Sequence, residues 1–183
     1  MLTKLQLWAT GRNVIILVLL DVFFMVVVMP YAQLLMALAT NAHPQPIDLM
    51  IPTWSPDQGY TLIQSYGESG RAIYRTIELT ADLVYPLVYG FAFALLLAFL
   101  VKKIAPSSSW MPYLAFLPLL GMLFDYAENI SILTLLSYYP QRVDWVAKIG
   151  GVATLFKWLF AFSGMIATLL GLIAWIAKGI MKR

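Results

Sequence analysis

Residues 81–103 read ADLVYPLVYGFAFALLLAFLVKK. No charged side chain occurs from Leu83 to Val101, and Lys102 and Lys103 close the run. At 1.5 Å per residue, a helix of this length covers the ~30 Å hydrocarbon core of a bilayer. A single helix is also the form in which such a segment satisfies its own backbone N–H and C=O groups away from water. Working outward, three further stretches have the same character. The four spans fall at about 13–38, 72–101, 111–136 and 150–177, each longer than the ~20 residues a crossing needs. The whole chain agrees, being 61% hydrophobic and only 11% charged, against about 25% charged in soluble domains. The expected fold is all-α: a polytopic, four-transmembrane-helix bundle forming one domain over 1–183. Pro30 and Pro86 should kink the first and second helices.

The first span resembles a secretory signal, because Lys4 and Arg12 precede it and Ala37-Leu38-Ala39 follows. The run from Val14 to Leu38 is too long for the apolar region of a signal peptide, and Asp21 interrupts it, so a retained helix is expected. The chain has no cysteine and a single histidine, His43, in a loop. Disulfides, thiol nucleophiles, iron–sulfur clusters and histidine-rich haem or metal sites are therefore not expected, and no cofactor is implied. A formal net charge of +3 is too small to suggest nucleic acid as a partner.

Charge placement sets the expected orientation. Four spans put both termini and the Lys102–Lys103 turn on one side. That side carries Lys4, Arg12, Lys102, Lys103, Lys178, Lys182 and Arg183 and no acidic residue. It is expected to be cytoplasmic in a multi-pass cell-membrane protein. Trp8, Trp110, Tyr113 and Trp175 suit an inner aromatic belt, and Tyr31, Tyr138, Tyr139 and Trp145 an outer one. The large outer loop, 39–71, begins Pro-rich. Ser55-Pro56-Asp57-Gln58 within it reads as a capping box with proline at the first helical position, and Gly67 as a C-cap. A short helix from Pro56 to Tyr66, with Tyr60, Ile63 and Tyr66 on one side, would lie on the membrane surface or lid the bundle. The sequon Asn129-Ile130-Ser131 falls inside the third span and is set aside.

Five ionisable residues lie within the spans: Asp21, Asp82, Asp125, Glu128 and Lys157, with Glu78 and Arg75 near the outer end of the second. A charge at the bilayer centre costs on the order of 2.5–3.5 kcal/mol on insertion scales, so these should face inward and meet. Arg75, Glu78, Asp82, Tyr85 and Tyr89 form one helical stripe; Gly121, Asp125, Glu128 and Asn129 form another. Lys157, Ala161, Gly164, Thr168 and Gly171 share a face whose small residues allow close approach. The expectation is one polar centre in the outer half of the bilayer, drawing on all four helices. Five carboxylates there meet Lys157 and, unless it snorkels outward, Arg75. Such an excess requires protonated carboxylates or further partners.

The chain resembles a group of small bacterial membrane proteins. The resemblance rests on Tyr66-Gly67, Gly70-Arg71 and Tyr74, on Asp82, Tyr85-Pro86 and Tyr89-Gly90, and on Phe124-Asp125, Glu128-Asn129 and Phe156-Lys157-Trp158. It covers about two-thirds of the chain and implies a bacterial inner membrane but no activity. In layout alone the chain is similar to the emopamil-binding and sigma-2 receptor family, whose four-helix members have buried carboxylates and bind sterol-like or cationic amphiphiles. The histidine and tryptophan landmarks of the isomerase members are not evident.

Three functional readings follow. In the first, an acid-rich intramembrane pocket binds or processes a lipid-like or amphiphilic small molecule. Asp125 and Glu128 are then the acid/base or head-holding groups, and Asp82, Asn129, Lys157, Tyr85, Asp21 and Glu78 complete the pocket. In the second, the charges are structural pairs in an accessory subunit that meets a membrane partner through the Ser163/Ala167/Gly171 face. The third is an ion or proton pathway, for which the inner halves of the helices offer few polar residues.

Overall fold

The computed structural model describes residues 2–104 and 110–181; Lys182 and Arg183, counted above for orientation, lie outside them. Every regular element among the described residues is helical. A short helix α1 (Leu2–Trp8) leads into α2 (Gly11–Phe23), which continues through a wide turn, Phe24–Val28, into α3 (Met29–Thr40). The long loop follows and carries α4 (Pro56–Ser65). Then come α5 (Gly67–Leu79), α6 (Ala81–Ile104), a 3-10 turn (Met111–Phe116), α7 (Leu117–Tyr138) and α8 (Asp144–Ile180). Among the described residues, four passages are long and apolar enough to cross a membrane: Gly11–Thr40, Gly67–Ile104, Met111–Tyr138 and Asp144–Ile180. The helical backbone outlasts the hydropathy at most ends. The last passage begins at Asp144 rather than 150, and its 37 residues reach about 55 Å. An acidic residue in the first turn suits a helix start.

Each proline acts differently from a simple kink. Pro30 has no N–H, which leaves the carbonyl four residues back without its helical donor. The first passage widens just before it, and the Met29 N–H reaches the Phe24 carbonyl instead. In the second passage the backbone breaks at Thr80 (φ −124°, ψ −81°), while α6 runs unbroken through Pro86. There the carbonyl left free by Pro86 belongs to Asp82, and the Asn129 side-chain amide of α7 donates to it at 3.0 Å. The Tyr126 hydroxyl donates to the next carbonyl, Leu83, at 2.7 Å. Two polar side chains of α7 thus repair the backbone of α6 and lock the register of the two helices.

Small residues set the remaining contacts. A Cβ on Gly121 would lie 3.4 Å from the Ala161 backbone nitrogen, so α7 and α8 approach backbone to backbone. Gly164 faces Pro118, and Gly171 faces Leu100 of α6. The expected small-residue face of α8 is therefore the seam on which the bundle closes. Of the proposed docking row, Gly171 is buried against α6 and Ala167 packs on the core near the lysines, while Ser163 bonds back to the Leu159 carbonyl. The second passage is the centre of the bundle, with 56% of its apolar window buried, whereas the first is peripheral at 11%.

The long loop is a lid, not a surface strap. Ser55 and Gln58 form the expected capping box, and Gly67, at φ +65°, ends α4 at Ser65. Tyr60, Ile63 and Tyr66 are all buried. They join Ile47, Trp54, Tyr74, Ile132, Leu135 and Ala147 in a core at the loop end of the bundle. A second core lies at the lysine end, where Leu5 and Ala9 of the unanticipated helix α1 and its exit pack on Ala94, Leu97 and Ala98. Lys102 holds that exit by donating to the Gln6 carbonyl at 2.9 Å.

Replacing Asn129 by Ala strands the buried Asp82 carbonyl and is expected to cost about 1–3 kcal/mol. Pro86→Ala restores the missing N–H, so Asn129→Ala should be milder in that background. A double-mutant cycle on thermal unfolding in detergent measures the coupling, and additive effects would refute the repair.

Candidate functional site

The polar centre is built around Lys157, which α8 places 7% exposed, about 20 Å along the helix from Asp144. An ammonium at that depth needs partners on every side. Its Nζ forms a close ion pair with Glu128 of α7 and lies 3.8 Å from Asp125 Oδ1, one turn away on the same helix. Its third partner is a backbone carbonyl of the lid, Asp48 O, at 2.8 Å.

Glu128 is fully buried. Its Oε1 accepts from the Thr154 hydroxyl of α8 and, at 3.4 Å, from the Trp54 indole N–H of the lid. The Thr154 hydroxyl also lies 2.9 Å from the Gly150 carbonyl, so one proton serves two acceptors. Asp125 accepts from the Tyr89 hydroxyl of α6 at 2.9 Å. The result is a continuous polar chain, Tyr89–Asp125–Lys157–Glu128–Thr154, linking α6, α7, α8 and the lid.

The lid brings its own acid. The Asp48 side chain is almost fully buried and accepts from the Tyr74 hydroxyl at 2.6 Å. The Tyr66 hydroxyl donates to the Gln45 carbonyl at 2.7 Å. Burial, followed by the nearby charges of Asp48 and Glu78, raises the Tyr66 phenol well above its usual range, so it stays a donor. Glu78, 1% exposed, makes no hydrogen bond of normal geometry on either carboxylate oxygen among the described residues, with the Tyr74 hydroxyl nearby. It lies within electrostatic reach of Asp48, Asp82 and Glu128.

The residues singled out from sequence separate into groups. Asp125, Glu128 and Lys157 are in direct contact. Asp82 and Asn129 are joined through the α6 backbone, and the Asp82 carboxylate lies within reach of Asp125, Lys157 and Glu128. Tyr85 bonds no carboxylate; its ring stacks on Phe24 at 5.7 Å and meets Tyr89 edge-on at 5.4 Å. Asp21 is buried, with Oδ1 unpartnered, and no hydrogen bond or ion pair among the described residues ties it to Lys157. Arg75 is exposed and makes no ion pair among the described residues. Exposed on α5, it does not supply a second cation to the buried centre.

The lid supplies what the sequence reading missed: Asp48, Trp54 and Tyr74's partnership with Asp48, together with Thr154 opposite. Asp48 falls in the long loop, outside every span, so span reading does not single it out. The available signals were apolar Ile47, Ile51 and Trp54 in a loop that should be polar, and Thr154 one turn from Lys157. The pair Gly150-Gly151 was another. A Cβ on Gly150 would come within 2.6 Å of the Trp54 ring, and one on Gly151 would collide with the Trp54 carbonyl. These glycines seat the lid, and the Thr53 hydroxyl clamps it by donating to the Gly151 carbonyl at 2.5 Å.

Among the described residues no three His, Asp or Glu side chains are arranged to hold a metal ion. A surface groove of about 570 Å³ runs between α7 and the start of α8, lined by Ala127, Ile130, Ser131, Tyr138, Trp145 and Ile149 among others. No known family, characterised protein or solved structure matches the chain. The chemistry of the site is therefore read from its own atoms.

Lys157→Met leaves Glu128 buried without its counter-ion and is expected to destabilise the fold by about 3–5 kcal/mol. Lys157→Met with Glu128→Gln removes both charges and should recover much of that loss. Thermal unfolding in detergent compares them; a double variant no more stable than the single one would exclude the pair as the dominant interaction.

Proposed function

We propose that this protein binds an amphiphilic, lipid-like small molecule at the loop end of its bundle, with Glu128 and Asp125 as the groups that hold its head or exchange protons with it. Lys157 and Asp82 position them. The supporting observation is the place of the groove. Its wall residues Ala127, Ile130 and Ser131 bracket Glu128 along α7, and Ile149 precedes the Gly150-Gly151 seat. An apolar recess within the size range of ligand sites thus runs along the stretch of α7 that carries the buried acid–base cluster. Tyr138 and Trp145 in its lining suit a polar–apolar boundary.

The host is a cell membrane, with both termini cytoplasmic and the site in the outer half. The basis is the charge pattern, in which Lys102, Lys103 and Lys178 gather at the end away from the lid. Because the chain has no cysteine, single cysteines at exposed Ser65 and Gly179 report this directly. A membrane-impermeant maleimide added to intact cells should label the first and spare the second; the reverse pattern overturns the orientation.

Glu128→Gln and Asp125→Asn test the site. Both variants should fold, as judged by gel filtration and thermal melting. The amphiphile that co-purifies with the wild type should fall by about tenfold, the effect of losing one charge-assisted hydrogen bond. If both variants fail to fold, or if bound amphiphile is unchanged, the residues are structural and this reading fails.

A further inference from the structure

Trp54 stands between the groove and the acid–base cluster. It is 3% exposed, yet it belongs to no helix: it follows Pro52 and Thr53 and precedes the N-cap Ser55. It can therefore move without unwinding a helix. Its ring lies in a slot made by absent side chains. A Cβ on Gly59 would lie 3.0 Å from one edge, and one on Gly150 within 2.6–2.7 Å of the other. The same position on Gly150 is 2.9 Å from the Ser131 Cβ, and Ser131 lines the groove. The indole and the groove thus meet across Gly150 and Ser131. At the inner end of the slot the indole N–H points to Glu128 Oε1 at 3.4 Å, beyond the usual N–H···O range.

We infer that Trp54 is a gate whose indole occupies the position of the ligand's head. On this inference the ligand is an amphiphile with a neutral hydrogen-bond donor, a hydroxyl or an amide N–H. The inference rests on the proposed groove-binding function and specifies its ligand class. The charge of Glu128 is already met by Lys157, so the slot holds a neutral donor in the closed state. A cationic head would add a second positive charge beside Lys157, and an anionic head would face Glu128 and Asp125. Moving the indole aside joins the slot to the groove and presents Glu128 and the Thr154 hydroxyl to the incoming head.

The test uses the full chain in nanodiscs and a long-chain alcohol carrying a diazirine, with the matched fatty acid and alkyltrimethylammonium as controls. Labelled residues are mapped by mass spectrometry. The alcohol should label groove residues such as Ile130 and Ile149 in the wild type. In Trp54→Ala its labelling of Glu128 should rise about fivefold, the scale of one net hydrogen bond. Gly150→Ala, which pushes the indole from its slot, should act in the same direction and provides a second route if Trp54→Ala does not fold. Trp54→Phe, which keeps a ring in the slot but has no N–H to offer Glu128, should fall between the wild type and Trp54→Ala. Groove labelling without any rise at Glu128 in Trp54→Ala or Gly150→Ala overturns the gate but leaves the groove reading intact. Absence of groove labelling in every form overturns the groove reading itself. Equal access to Glu128 by the ammonium probe overturns the neutral-head assignment.

Discussion

The burial of one ammonium group organises this molecule. Lys157 cannot sit deep in a bundle without counter-charges, and meeting that need brings three separate parts of the chain together. Glu128 and Asp125 come from α7, and the Asp48 carbonyl comes from the lid. The close α7–α8 seam at Gly121 and Ala161 follows, because the ion pair is short only if those helices touch. The lid follows too: an ammonium has three protons, and the bundle's carboxylates leave one direction for a carbonyl from the loop. A pair of two residues needs no lid, no buried Asp48 and no buried Glu78. More carboxylates gather around Lys157 than one ion pair requires.

Much of the architecture was legible from hydropathy alone, because a span of lipid-facing helix has only one solution for its backbone. The capping box at Ser55 and Gln58 and the turn at Gly67 were also readable, since each is a local hydrogen-bond or φ requirement. The inward convergence of Asp125, Glu128 and Lys157 was readable from helical spacing. The rest was not, for a consistent reason. Trp54 lies in irregular chain and Asp48 in a single 3-10 turn, Ile47–Leu49, and neither is long enough for periodicity to tell which side chain turns inward. Asn129 was grouped with the acids as a ligand, but its amide serves the backbone that Pro86 leaves incomplete. That pairing links residues on two helices and has no signature within either. Arg75 shares a stripe with Glu78 and Asp82, yet a stripe gives direction from the axis and not reach, and a long side chain near a helix end escapes to water.

The two cores divide the labour. At the lysine end, Ala94, Leu97, Ala98 and Leu119 pack without charge, and helix α1 closes over them. At the loop end, tyrosines and a tryptophan mix with the buried acids. Aromatic hydroxyl and indole groups carry apolar bulk with a polar tip, which is what a hydrogen-bonded half requires. Tyr66, Tyr74 and Tyr89 each fill space and spend their one proton on an oxygen. One half of the molecule thus packs apolar side chains alone, and the other buries polar groups among aromatic ones.

The contacts of Lys157 also have an order in time. Asp48, Asp125 and Glu128 all precede it in the chain, so each is already synthesised when the last helix emerges. A nascent helix carrying an unpaired lysine partitions poorly into lipid, whereas one that meets its carboxylates on arrival does not. Synthesised after its partners, α8 is the helix that closes the charge, the seam and the lid together.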